Sequence, residues 1–139
     1  MELLYYRFIA FFKKAHKPYV LAGGKKGLLR LVNTFYDLME NEPQFLSIRS
    51  MHPVQIADSR QKLFMFLSGW FGGPNLYWKH YGHPRMRARH MKFAIDNVAA
   101  KSWTQCMSKA VEQMPWDKEF KDYAMKSFTD FALHMRNRN

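Results

Sequence analysis

The residues best suited to chemistry cluster in one short run. Residues 82–90 carry arginines at alternating positions Arg85, Arg87 and Arg89 and end on the imidazole of His90. Trp103 follows thirteen positions after His90. A neutral imidazole offers a nitrogen lone pair to a metal, and a guanidinium fork matches carboxylate geometry. Elsewhere Tyr36, His52 and Trp103 carry O–H or N–H groups on aromatic frames, the kind of donor that can hold a small polar ligand. By residue type alone each has an ordinary structural use. A lone histidine among arginines is usually a surface residue, and a tyrosine or tryptophan at helical spacing is usually core.

The elements that would position these groups are helical. Leu28, Leu31, Val32, Phe35, Leu38 and Met39 repeat along one helix face, with Gly23-Gly24 as a turn before it. Phe45, Leu46 and Ile48 predict a short helix, and a longer one follows Pro53 with Ile56, Leu63, Phe66, Leu67 and Trp70 inward. Gly72-Gly73-Pro74 ends it. Residues 75–95 are expected to be mostly loop with one short helix near 85–90. Asp96 is a candidate N-cap for a helix burying Ala99, Trp103, Cys106, Met107, Ala110 and Met114. After Pro115 a last helix carries Phe120, Ala124, Phe128, Phe131 and Met135 on one face. The class is all-α, with about five main helices and no convincing strand. A compact helical domain rarely carries a long irregular stretch without purpose, and aromatic-rich helices around it fit a bound apolar group.

Composition narrows the classes further. One domain with a real core fits 139 residues, and 47% apolar content argues against disorder. The single cysteine, Cys106, can form neither an internal disulfide nor a Cys-rich zinc site, and reads as a small buried hydrophobe. The longest stretch free of charged residues and histidine, 63–78, is broken by Gly72-Gly73-Pro74, so no membrane span is expected. The N-terminus does not read as a signal peptide, and a cytoplasmic setting is the default. The net charge of +11 is uneven: residues 59–95 hold seven Lys/Arg and no acid, and residues 1–30 hold seven against one. Such a basic block suits a polyanion, a smaller anion, or simply solvent.

Read together, Gly23-Gly24, Phe35-Tyr36, Gly72-Gly73-Pro74, the 82–90 segment, Phe93, Ile95 and Trp103 resemble the group II truncated haemoglobins over residues 18–115, and more weakly beyond. The resemblance implies a globin-like two-over-two helical sandwich around haem b, with a loop-rich proximal segment. It makes His90 the proximal iron ligand, Tyr36 and Trp103 distal donors, His52 the haem-facing aromatic position, and Ser59 and Leu63 distal positions on the long helix. Arg87 or Arg89, Lys62 and Tyr77 are the expected propionate partners, and Phe35, Phe66 and Phe93 complete the haem contacts. The family often carries a proline two residues after the histidine. Here Lys92 stands in that place, which loosens the segment or adds a charge.

Oxygen held on ferrous haem carries partial negative charge, so Tyr O–H, indole N–H and imidazole N–H can each donate to it. One such bond, at ~1.5–3 kcal/mol, slows escape about 10- to 150-fold. The implied function is therefore binding of oxygen, and of nitric oxide or carbon monoxide, with slow release. The alternative is a haem enzyme acting on peroxide or nitric oxide, which needs an external electron donor. A nucleic-acid module leaves the His90 and Trp103 pairing unexplained and is not expected. Residues 1–17 fall outside the resemblance, and 18–139 form the expected globin domain. Ten of the first twelve residues are apolar or aromatic, and an added helix, a dimer contact or a membrane-surface contact all remain open for them.

Overall fold

The structure is a computed structural model and describes residues 17–138. The expected extension, 1–17, therefore lies almost wholly outside the described residues. Helices run in the order α1 (Pro18–Leu21), α2 (Gly24–Asn41), a 3-10 turn (Pro43–Phe45), α3 (Leu46–Arg49), α4 (Ala57–Trp70), α5 (Leu76–Tyr81), α6 (Met86–His90), α7 (Asn97–Glu112) and α8 (Lys118–His134). No strand occurs among the described residues. The all-α expectation holds, but the main helices number four, with short ones between them. α2 packs on both α4 and α7, and α7 lies along α8, which gives two helix pairs stacked across each other.

Sequence accounts for most of these boundaries. On α2, Leu28, Leu31, Val32, Phe35, Tyr36 and Met39 are buried at three- and four-residue intervals. Gly23 precedes the helix in the left-handed region at φ 96°. Glu42, extended ahead of Pro43, ends it. Asp96 caps α7 as expected, its Oδ1 accepting from the Ala99 N–H at 2.8 Å. Asp117 does the same for α8, accepting from Phe120 N–H at 2.9 Å. At the end of α4, Gly72 turns left-handed at φ 90°. Gly73 lies under the Tyr19 ring, where an added Cβ would come within 2.3 Å of that ring. That approach, with the Tyr19 N–H donating to Phe71 O at 2.8 Å, ties α1 to the α4 exit.

Two expectations need correction. α4 buries Phe64 and Met65 as well as Leu67, while Leu63, Phe66 and Trp70 are only half-buried. The helix is enclosed on more than one side, so a single inward face was too simple a reading. The 75–95 segment contains α5 in addition to α6. Six residues between Asn75 and Gly82 are too few to display a helical period.

Candidate functional site

A cavity of about 610 Å³ opens among α2, the loop after α3, α4, α6, α7 and α8, within the range of sites that enclose an organic ligand. Most of its lining is apolar or aromatic. Of the expected site residues, Tyr36, His52, Ser59, Lys62, Leu63, Phe66, Tyr77, Arg89, His90, Phe93 and Trp103 all line it. Phe35 and Arg87 do not. Phe35 is fully buried behind the wall, edge-on to both Tyr36 and Trp103 at centroid distances of 5.0 and 5.4 Å. Arg87 turns to the C-terminal tail, donating to Arg136 O at 3.4 Å.

His90 closes α6. Its Nδ1 lies 2.6 Å from Met86 O, one helical turn back. A carbonyl only accepts, so Nδ1 carries the proton and Nε2 is left with its lone pair. Nε2 has no hydrogen-bond partner among the described residues. α6 begins at Arg85, whose φ of 44° is the only positive value outside glycine among the described residues. Such a conformation costs about 1–2 kcal/mol. The Arg85 N–H donates to His83 Nδ1 at 3.1 Å, and the Arg89 Nε donates to Pro84 O at 2.6 Å. These bonds knit the turn ahead of the histidine. His83 thus supports this turn.

The donor cluster is built on α2 and α7. Burial pushes the Tyr36 hydroxyl well above its ordinary range, although the nearby Arg60 charge opposes this. The group therefore stays protonated and able to donate at any physiological pH. The Arg60 guanidinium sits 5.7 Å from the Tyr36 ring centre. It reaches from α4 to Asp37 at 2.7 Å, Glu40 at 3.0 Å and Asn33 O at 3.1 Å on α2. Trp103 packs on Phe128 and Phe131 of α8. Cys106, one turn on, is fully buried, with its thiol pushed up to about 12 by burial and its Sγ–H directed at Phe35 O. It behaves as a packing residue behind Phe35.

His52 departs from its expected role. Its ring meets Tyr36 edge-on at 5.6 Å, but its Nδ1 lies 2.8 Å from Ile48 O. The Nδ1 proton is thus committed to that carbonyl. Burial lowers the pKa of the ring, so at neutral pH Nε2 has no proton to give. The N–H donor expected here is absent in the neutral ring, and Tyr36 and Trp103 remain as the two donors. Arg49 holds the loop in place through Pro53 O at 3.0 Å and Val54 O at 2.9 Å.

At the rim, Arg89 lies over the Tyr77 ring at 5.5 Å, and Lys62 pairs with Asp58 at 3.1 Å while facing the Tyr81 ring. The donor set fits haem. A flat apolar body suits the aromatic and aliphatic walls, the propionates suit Arg89 and Lys62, and the unpartnered imidazole nitrogen of His90 suits an iron ligand. No cluster of three or more His, Cys, Asp or Glu that could cage a metal ion is found among the described residues. Met51, Met86, Ile95, Phe131 and Met135 also line the cavity. They were missed as site residues because lone apolar residues look the same whether they face a core or a ligand.

Comparisons with known proteins agree with this geometry. The family model described as bacterial-like globin matches residues 18–137. The group 2 truncated hemoglobin YjbI of Bacillus subtilis is 32% identical over 82% of this chain and 84% of its own length. The solved cold-adapted truncated hemoglobin of Pseudoalteromonas haloplanktis TAC125 superposes with a TM-score of 0.86 at 37% identity, covering 88% of this chain and 99% of that one. The truncated oxygen-avid haemoglobin of Bacillus subtilis gives 0.79 at 33% identity, over 88% and 100%. With its match to the family model, its helix pairs and its cavity, this chain belongs to the bacterial-like globins, among the group II truncated haemoglobins.

Proposed function

We propose that this chain holds haem b through His90 and binds oxygen and related diatomic gases, nitric oxide and carbon monoxide among them, with slow release. The observation that carries the reading is the Nε2 of His90, free of any partner among the described residues, in a cavity that Tyr36 and Trp103 also line. Held by His90, haem would supply an iron able to bind a diatomic gas. The protein's own residues do the rest. Met86 O orients His90 and fixes its tautomer. Phe66, Leu63 and Phe93 exclude water, and Arg89 and Lys62 draw the propionates to the rim. Tyr36 and Trp103 offer two N–H or O–H donors to negative charge building on the gas. The oxygen-avid haemoglobin among the structural neighbours supports the slow-release reading by analogy. A cytoplasmic setting suits a free, buried thiol at Cys106.

The test is stopped-flow oxygen dissociation beside peroxide and nitric oxide reactivity on one preparation. Slow release without turnover is the expected result. Sustained turnover with an external reductant, lost in Tyr36→Phe or Trp103→Phe, would instead make the protein an enzyme.

A further inference from the structure

The segment after His90 is not held by Lys92, which makes no hydrogen bond among the described residues. Its fastening comes from elsewhere. Asn137, beyond the end of α8, reaches back across 47 positions so that its Nδ2 donates to His90 O at 3.1 Å. The same nitrogen donates to Phe93 O at 2.9 Å, and Oδ1 accepts from the Ile95 N–H at 3.0 Å. The backbone N–H groups of Asn137 and Arg138 both donate to Ile95 O, at 2.9 and 3.1 Å. The amide orientation is fixed chemically: two carbonyls face the nitrogen and the N–H groups of Ile95 and Arg138 face the oxygen, so the flipped amide would oppose like groups at all four contacts. Arg136 extends the contact by donating to Asn97 Oδ1 at 2.6 Å, and Arg87 closes it from α6 by donating to Arg136 O.

We propose that Asn137 is a positioning residue for His90. It clasps the backbone on both sides of the turn that follows the ligand, and so sets the tilt and stiffness of the imidazole. The inference rests on the reading of His90 as the residue that holds the iron. The side chain of Asn137 spends its nitrogen on two carbonyls and its oxygen on one N–H of a single segment of six residues, 90–95, and the oxygen also accepts from Arg138 Nη1 at 3.2 Å. A surface asparagine with a merely solvating role has no need of such a set of partners.

The experiment uses the holoprotein and reads the iron–histidine stretching band of the ferrous, gas-free form by resonance Raman. Asn137→Ala removes all three side-chain bonds to residues 90–95. Asn137→Asp keeps the shape and the acceptor for Ile95 but sets an oxygen against the His90 and Phe93 carbonyls. In either variant the band is expected to shift and broaden, more in Asn137→Asp. Haem transfer to apomyoglobin should become roughly tenfold faster. Trp103→Phe, which alters the other wall, should leave the band in place. A band at the wild-type position in both Asn137 variants overturns the proposal, whatever happens to the melting temperature. His90→Ala separates the two ideas: if that variant keeps the band, the assignment of His90 itself has failed.

Discussion

His52 and His90 both line the cavity, and both direct Nδ1 at the carbonyl four residues back, Ile48 O in one case and Met86 O in the other. Each therefore turns an unprotonated Nε2 outward. What differs is how each is held. The loop of His52 is fastened from within, by Arg49 to carbonyls four and five residues ahead. The turn of His90 is fastened from a distance, by Asn137 across 42 to 47 positions. The donor side is assembled mostly by local hydrogen bonds and by α2 against α4 and α7. The ligand side is a short helix with a strained first residue, kept in place by tertiary contacts. Local helix formation alone does not organise that side.

The comparison can be broken most directly at His90. His90→Ala should lose its haem on desalting, seen as loss of the Soret band. Retention of a normal spectrum would show that the two walls had been assigned the wrong way round. Next come the donors. Tyr36→Phe or Trp103→Phe should speed oxygen release by about 10- to 150-fold in stopped-flow measurements, with little change in haem retention. An unchanged rate in both would remove the donor cluster from the mechanism.

A smaller effect should follow the protonation of His52. Burial lowers its pKa below the ordinary histidine value, so the ring is neutral at pH 7 and gains its second proton only in more acid solution. Protonation creates an Nε2–H donor. Oxygen release should therefore be nearly constant from neutral to mildly alkaline pH and become slower only in solution more acid than the ordinary histidine range. His52→Phe should abolish the acid slowing while leaving the neutral rate within about twofold, because only the charged ring donates. Arg60→Met should have the smallest effect. Its ion pairs are partly exposed and worth at most ~1 kcal/mol, so release should rise about two- to fivefold as α2 and Tyr36 loosen.

The sequence made some of this arrangement legible and hid the rest. Buried faces at three- and four-residue spacing marked α2, α7 and α8, and Asp96 marked a helix start, because those signals are local. His90, Tyr36 and Trp103 were reachable only through a motif, since each alone looks like surface or core. The tautomer of His52 was not legible, because it depends on a carbonyl whose position only the fold determines. Asn137 was invisible for the same reason. Nothing near it in sequence hints at a partner 42 or more positions away. Arg85 is a third example, since no residue type predicts that an arginine takes a left-handed φ.

The cavity also ties the folding of the chain to the supply of its cofactor. A space of about 610 Å³ bordered by Phe66, Phe93, Phe131 and Met135 offers apolar walls that a bound haem would cover. A haem that prefers the folded chain to the unfolded one would bring its free concentration directly into the folding equilibrium. At a thousandfold excess over the dissociation constant this adds about 4 kcal/mol. That is a large part of what a domain of this size has in total. In a cell short of haem, the folded population should fall and exposure to proteases should rise, with no change in the gene. The abundance of this globin would then report the haem supply as well as its own synthesis.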